Sequence, residues 1–226
     1  MNQLIFFVVY LTVWLNHLVR TFTFMAPSLS NTEQIILNAA RKVFIHKGFA
    51  GARMQEIADE AGINKALLHY YFRGKDQLFE SVFEQAVASF LPAIRNVLEA
   101  EMPFREKIIL FVETYIDILM ANPHIPAFVI QELNTDPNRF IDKLNNYGID
   151  PTILFEQIKK ETENGQIRNI NGDHFIVNLL GMCLFPFIAR PVMQGMLRKS
   201  NEQYELFLKE RKKEIVEFVM HSIAMS

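Results

Sequence analysis

The stretch MQEIADEAGINKALLHYYFRGK, which runs from Met54 to Lys75, decides the fold of this chain. Its first half has the i, i+3, i+4, i+7 spacing of a short amphipathic helix, with apolar residues at Met54, Ile57, Ala58 and Ala61. Gly62 follows, where a helix end favours a residue that adopts left-handed backbone angles without strain. Asn64 is then a good N-cap for a second helix. Two short helices joined by a glycine-containing turn predict a helix-turn-helix.

The second helix of this motif divides by face. At helical spacing, Lys65, Ala66, His69, Tyr70 and Arg73 share one arc. The opposite arc holds the larger apolar residues, namely Leu67, Leu68, Tyr71 and Phe72. The alternative is a helical hairpin inside an ordinary bundle, in which His69 and Tyr70 are no more than surface residues.

The sequence around the motif adds a more specific pattern. Its residues are Gly48-Phe49, then Met54-x-x-Ile57-Ala58-x-x-Ala61-Gly62-Ile63-Asn64-Lys65, then Leu68-His69-Tyr70-Tyr71-Phe72-Arg73-Gly74-Lys75-Asp76-x-Leu78-Phe79. This pattern, over roughly residues 31–80, resembles the DNA-binding domain of the TetR family of regulators. The resemblance implies an all-α fold and a double-stranded DNA operator as partner.

Three positions depart from the family pattern. Ala52 stands where the family usually has Thr, which caps the first helix of the motif and touches a phosphate. His69 replaces a usual Tyr, and Gly74 replaces the Ser that usually caps the next helix. A neighbouring residue, Arg53 or one of the two tyrosines that follow His69, is expected to take over the missing phosphate contacts.

The predicted DNA-binding residues are Arg53, Gln55, Asn64, Lys65, Ala66, Leu67, His69, Tyr70, Tyr71 and Lys75. Of these, Gln55, Lys65, Ala66, Leu67 and Tyr70 are expected to face base edges. The phosphate contacts are expected from Arg53, His69, Tyr71 and Lys75, and the roles of Tyr71 and Lys75 are those that the resemblance implies. Helical periodicity alone places Leu67 and Tyr71 away from Lys65, so the two lines of inference disagree there.

Charge is distributed unevenly along the chain. The net charge is −2 overall, but Ser30 to Lys75 carries seven basic and four acidic side chains, a net +3. From Asp76 onward there are 15 basic and 21 acidic side chains, a net −6. This polarisation is what binding to a phosphate backbone requires of the helix-turn-helix.

Residues 1–29 form an N-terminal extension with an apolar run from Leu4 to Leu15. The run is shorter than the roughly 20 residues of a transmembrane helix. No basic residue precedes it, as one would in a signal peptide. The favoured interpretation is that Met25 is the natural start. A membrane anchor formed by residues 1–24 and an extra docked helix are the alternatives.

The rest of the chain is predicted to be helical. Ser30-x-x-Glu33 is a capping box for a first helix that Gly48 ends. Asp76 starts a longer helix that Pro92 should kink or end. The later helices are predicted at Phe104–Ala121, Ile125–Leu133, Pro137–Asn146, Pro151–Asn164, Asp173–Leu197 and Asn201–Ala224. The expected domains are residues 30–78 for DNA binding and residues 79–226 for ligand binding and dimerisation.

The residues give little support to enzymatic chemistry. The sequence has no glycine-rich phosphate loop, no nucleophile elbow and no histidine, cysteine or carboxylate cluster with metal-ligand spacing. We therefore expect no catalytic residue, no cofactor and no metal. The single cysteine, Cys183, suggests a reducing compartment, and a cytoplasmic location without stable membrane association is predicted.

The middle helices carry many large apolar side chains, any one of which ordinary core packing explains. The resemblance implies an inducer cavity among them, and the candidate lining residues are Phe83, Phe90, Phe111, Tyr115, Phe128 and Phe155. The resemblance also implies that the last two helices form a four-helix bundle with their mates in a homodimer, which suits the apolar run from Phe175 to Ala189.

The predicted function is a ligand-responsive transcriptional regulator. It would bind a palindromic operator as a homodimeric repressor and be released by a small apolar or amphipathic effector whose identity the residues do not specify. The alternative is a helical protein-interaction module, membrane-anchored through residues 1–24, without specific DNA binding.

Overall fold

The computed structural model describes residues 31–123 and 125–225. Within these ranges all regular secondary structure is α-helical, which confirms the predicted all-α class. The helices are α1 (Asn31–Gly51), α2 (Met54–Glu60), α3 (Lys65–Tyr71), α4 (Lys75–Glu99), α5 (Phe104–Ala121), α6 (Ile125–Thr135), α7 (Pro137–Asn146), α8 (Thr152–Glu163), α9 (Gly172–Ile188), α10 (Arg190–Met196) and α11 (Asn201–Ile223). The predictions for residues 1–29 and for the Ser30 cap lie outside the described residues.

Helices α1 to α3 share a small core with the start of α4. Gly48 interrupts α1 with φ 65° and ψ 175°, as the sequence predicted for its end. Ile36, Ala40, Ile57 and Leu68 are fully buried between these helices. Because each short helix contributes only one or two buried side chains, α2 and α3 depend on α1 and α4 for their stability.

Helix α4 connects this unit to the rest of the chain. It runs without a break to Glu99, so Pro92 does not end it. A proline inside a helix frees the carbonyl four residues earlier, here that of Ala88. Ala88 and Pro92 are both exposed, so water can satisfy that carbonyl and the helix continues. Val82, Phe83 and Val87 are fully buried on the opposite side of α4.

The apolar run near the C-terminus differs from the prediction. The sequence predicted one helix from Asp173 to Leu197, but the structure has α9 and α10, bent by 80°. Pro191 lies in the first turn of α10 and has no N–H to donate to the carbonyl of Phe187. A single helix would leave that carbonyl unpaired and would clash with the proline ring, so the chain turns.

Helix α11 packs along α5 and α9. Tyr204 on α11 is fully buried and donates its hydroxyl to the carbonyl of Pro186 at 2.8 Å. That carbonyl lies in the last turn of α9, so the bond ties α11 to the bend. Among the described residues no single helix is both long and apolar enough to span a membrane, although the bent pairs α5–α6 and α9–α10 meet the length and composition when each pair is taken together.

Candidate DNA interface

The turn between α2 and α3 has the geometry that its residues require. Gly62 has φ 68°, and the N–H of Ile63 donates to the carbonyl of Ala58 at 3.0 Å. Asn64 then caps α3, because its Oδ1 accepts from the N–H of Leu67 at 2.8 Å. The glycine turn and the Asn cap together set the direction in which α3 leaves α2.

Helix α3 presents most of its surface to solvent. Lys65, Ala66 and His69 are exposed, and Tyr70 is 80% exposed. The arc opposite Lys65 is buried only in part: Leu68 and Phe72 are buried and Tyr71 is half-buried, but Leu67 is 36% exposed. A helix of seven residues meets its neighbours along a narrow seam, so Leu68 alone within it is buried.

Two predicted contact residues lie at the start of α2. Arg53 has extended backbone angles at the N-cap position, and both Arg53 and Gln55 are exposed. The amide Nε2 of Gln55 donates to Asp59 at 2.8 Å, which orients the side chain along the helix. The interface therefore offers side chains from the first turn of α2 as well as from α3.

Ion pairs join α1 to α2 behind this surface. Lys47 lies 2.9 Å from Glu56, and Lys42 lies 2.8 Å from Glu60. The hydrogen bond from Lys47 lowers the pKa of Glu56 below its ordinary value. These pairs offset part of the acidic charge on α2, so that the surface on α3 keeps a positive balance.

Arg73 is absent from the predicted contacts, yet it lies exposed just after α3. Helical spacing puts Arg73 on the same arc as Lys65, and that arc is the signal that could have added it to the predicted contacts. Lys75 is half-exposed, as Tyr71 is, and its Nζ donates to the carbonyls of Phe49 at 2.8 Å and Ala52 at 3.3 Å.

The six candidate ligand residues lie in three places. Phe83, Phe90 and Phe111 are buried along α4 and α5, and Tyr115 stacks on Phe111 with ring centroids 5.6 Å apart. Burial raises the pKa of the Tyr115 hydroxyl, which is therefore a neutral hydrogen-bonding group at neutral pH. Phe111 and Tyr115 therefore form an aromatic pair that carries one polar group.

The other two candidates lie apart from Phe111 and Tyr115, although Phe128 and Phe83 both pack on Phe79. Phe128 on α6 packs 5.4 Å from Phe79 and 6.5 Å from Phe44, so it belongs to an aromatic cluster beside the helix-turn-helix. Phe155 on α8 lines an open groove of about 480 Å³ beside the start of α9. The structure thus brings Phe111 and Tyr115 together and leaves Phe128 and Phe155 outside that group.

Comparisons with known proteins agree with this architecture. The sequence profile of the bacterial regulatory proteins of the tetR family matches residues 36–82. YttP of Bacillus subtilis strain 168, a probable HTH-type transcriptional regulator, is 22% identical over 188 residues, which cover 80% of this chain and 91% of YttP. The HTH-type transcriptional repressor NicS of Pseudomonas putida is 43% identical over 65 residues, 29% of this chain and 31% of NicS.

Solved structures extend the likeness beyond the helix-turn-helix. The crystal structure of the TetR family transcriptional regulator PfmR from Thermus thermophilus superposes with a TM-score of 0.62. The superposition covers 83% of this chain and 96% of PfmR, at 18% sequence identity. At that identity the likeness concerns the fold, and it includes the helices that follow α4.

Proposed function

Since this chain belongs to the TetR family of DNA-binding transcriptional regulators, we propose that it is a homodimeric repressor that binds a palindromic operator and releases it when a small effector binds. The observation that carries the proposal is the exposed, capped helix α3 with Lys65 at its first position. A cytoplasmic location follows from this role.

The proposed contacts divide into those that read bases and those that hold phosphates. Lys65 and Gln55 are exposed near the start of α3 and α2, where a major-groove helix contacts base edges. Arg53 is the exposed cation that stands next to Ala52, the position where the family usually has a phosphate-binding Thr. Tyr71 and His69 complete the proposed phosphate contacts.

A gel shift against the DNA that flanks the gene, at two salt concentrations, tests the function. Lys65→Ala should change which sequence is preferred. Arg53→Ala should weaken all sequences alike and flatten the salt dependence by about one unit per protomer. Lys159→Ala is the control, because that lysine is exposed on α8. If both test variants bind operator and random DNA as the control does, these contacts are wrong.

The proposed dimer uses the exposed apolar stripe of α9 together with that of α11. Val177, Phe185 and Ile188 follow helical spacing on the outer side of α9, and all are exposed. Leu206 and Phe218 are exposed apolar side chains on α11. A monomer seldom leaves so large an apolar area in water, and a two-fold axis through it would cover the same stripe on both subunits.

Size-exclusion chromatography tests the dimer. Phe185→Asp should give monomers, because it places a charge at the centre of the stripe without entering the core. Ile141→Asp on α7 is the matched control, since Ile141 is 52% and Phe185 is 54% exposed. Leu184→Asp is a poorer test, because Leu184 is half-buried and packs against the core. If Phe185→Asp elutes at the same volume as Ile141→Asp, the dimer interface lies elsewhere on the protein.

The effector is proposed to be a small apolar or amphipathic molecule that binds near Phe90, Phe111 and Tyr115. A reporter gene behind the operator distinguishes the direction of regulation: loss of the protein raises expression from a repressed promoter and lowers it from an activated one. Release requires that the effector bind one arrangement of the dimer more tightly than the other.

A further inference from the structure

Arg211 stands at a core position of α11. The residues one turn before it and one turn after it on the same face are Leu208 and Ile215, and each is 1% exposed. Tyr204, two turns before Arg211, is fully buried on that face as well. A cation therefore occupies a place in a stripe that otherwise holds buried apolar and aromatic side chains, on a helix that packs along α5 and α9.

The guanidinium of Arg211 has no partner of opposite charge in the described part of the chain. Its Nε is buried and donates to no acceptor there, and the side chain as a whole is half-buried. Glu214 is exposed three residues further along α11, a spacing at which helical ion pairs form, yet the two side chains do not pair. The adjacent Lys212, by contrast, pairs with Asp117 on α5 at 2.5 Å. Arg211 therefore does not use the acidic groups on the outer face of its own helix.

An unpaired cation at a core position lowers the stability of the fold. Taking a charge out of water is unfavourable unless an opposite charge and further hydrogen bonds offset the loss. An arginine cannot avoid this cost by losing its proton, because its pKa lies above about 12. An apolar side chain would continue the stripe of α11 without the cost. Residues that break the local pattern in this way are typical of functional sites, where a bound molecule supplies the missing partner.

Two polar side chains on neighbouring helices lie in the same region as Arg211. Burial raises the pKa of the Cys183 thiol on α9, and the positive charge of Arg211 acts against that rise. Burial also raises the pKa of the Tyr115 hydroxyl on α5, and a negative charge on Cys183 adds to that effect. Each effect requires the two groups to be near each other, so Arg211 and Tyr115 approach the same thiol from α11 and α5. At neutral pH Tyr115 keeps its proton and is a hydrogen-bond donor for an anion.

We propose that Arg211 binds a carboxylate group of the effector, with the Tyr115 hydroxyl as a second donor and the ring of Phe111 beside the apolar part of the molecule. The inference rests on the proposed effector site and specifies its ligand as an apolar organic acid with one negative charge. Lys212 is already paired with Asp117, so Arg211 supplies one positive charge to the ligand. Two N–H groups of a planar guanidinium match the two oxygens of a carboxylate.

Calorimetric titrations of the DNA-free protein test the proposal with two acids, octanoate and phenylbutyrate, and with the two alcohols of the same carbon skeletons. The wild type should bind each acid at least about tenfold more tightly than the corresponding alcohol, because hydrogen bonds to a charged group are the stronger ones. Arg211→Met should lose about tenfold or more in affinity for the acids and stay within about twofold for the alcohols. Arg105→Met is the matched control, because Arg105 is exposed on α5, and it should bind both acids as the wild type does.

Two conservative variants separate the charge from the geometry of the donors. Arg211→Lys keeps the charge without the paired N–H groups, so its affinity for the acids should lie between those of the wild type and Arg211→Met. Tyr115→Phe removes only the hydroxyl and should weaken acid binding by roughly 2- to 10-fold. The proposal is overturned if neither acid binds the wild type more tightly than its alcohol, or if Arg211→Met weakens acids and alcohols alike.

Thermal melting without any added acid tests the unpaired charge itself. Arg211→Met should melt about 2–4 °C above the wild type, because an apolar side chain then completes the stripe of α11. Arg105→Met should shift the melting temperature by no more than about 2 °C. A lower melting temperature for Arg211→Met would show that the guanidinium stabilises the fold and would overturn the proposal. If the acids bind through Arg211 but leave operator affinity unchanged, the proposed release from DNA is wrong and the ligand assignment stands.

Discussion

Arg139 on α7 is expected to be among the charged residues whose replacement destabilises the protein most. Its guanidinium donates from Nε and Nη2 to the two carboxylate oxygens of Glu132, with 2.7 Å for the Nη2 bond, and its Nη1 lies 3.1 Å from Glu80. Glu132 on α6 is 0% exposed. The hydrogen bonds that Arg139 donates to Glu132 raise the pKa of Arg139 above its ordinary value. Arg139→Met would leave a buried carboxylate without its cation.

The size of the effect follows from this burial. Removing one partner of a fully buried ion pair costs about 3–5 kcal/mol. The Arg139 side chain is 38% exposed, so water replaces part of its interaction and we expect a loss of about 2–3 kcal/mol. In a chain of this length, 1 kcal/mol shifts the melting temperature by about 2–4 °C, so Arg139→Met should melt about 4–12 °C below wild type.

A double-mutant cycle shows whether the buried charge is the cause. Glu132→Gln added to Arg139→Met should recover at least half of the lost stability, because the neutral amide is less costly to bury than an unpaired carboxylate. Lys159→Met breaks an exposed pair with Glu163 and should move the melting temperature by no more than about 2 °C. The reasoning is refuted if the melting temperature of the double variant is no higher than that of Arg139→Met. It is also refuted if Arg139→Met has the same melting temperature as Lys159→Met.

The remaining predictions concern packing and burial. Ala86 is buried on α4 and Ala88 is exposed, so Ala86→Phe should cost about 1–3 kcal/mol and change operator affinity, while Ala88→Phe should leave melting and DNA titrations near wild type. Burial raises the pKa of the Cys183 thiol to about 12, so iodoacetamide at pH 8 should modify the unfolded chain but not the native one, as mass spectrometry would show. Because this pKa is raised, the stabilisation from the neutral thiol should be complete below about pH 8.5 and should diminish as pH rises toward 12. Gly172→Ala would set a methyl group 2.7 Å from the ring of Phe155 and should lower the melting temperature.

Short-range sequence signals were sufficient to predict the helix-turn-helix. Gly62 and Asn64 act on backbone groups within three to five residues of themselves, so their effect is visible in a short window of sequence. The sequence did not predict the bend after α9, because the apolar run around Pro191 indicated one continuous helix. Pro191 interrupts one backbone hydrogen bond, and the hydrophobic pattern around it continues on both sides.

The site could be predicted only in part for a similar reason. Periodicity assigns Leu67 to the core by angle, but burial depends on how far a neighbouring helix extends, and that is a tertiary property. The partners of Lys75 are carbonyls more than 20 residues away, so no motif around the lysine reveals them.

The contacts of α4 indicate where an effector would act. Toward the helix-turn-helix, α4 is held by fully buried apolar side chains such as Leu78, and exposing one costs about 1.5–3 kcal/mol. Toward α7 it is held by one aromatic contact, between Phe83 and Phe140 with ring centroids 6.1 Å apart, and by ion pairs. In these pairs Lys143 lies 2.6 Å from Glu80 and also binds Glu84. These carboxylates are partly exposed, and such pairs contribute about 0–1 kcal/mol each.

A coupling of about 1–3 kcal/mol changes operator affinity 5- to 150-fold, which matches the contacts between α4 and α7 and is less than the cost of separating α4 from α1. An effector that moves α4 should therefore carry the helix-turn-helix with it as a unit. The distance between the two copies of α3 in a dimer would change, while each copy of α3 stays helical. On this argument, effector binding alters amide hydrogen exchange in α7 and leaves α1 to α3 unchanged, and faster exchange in α2 or α3 would show that the motif itself opens instead.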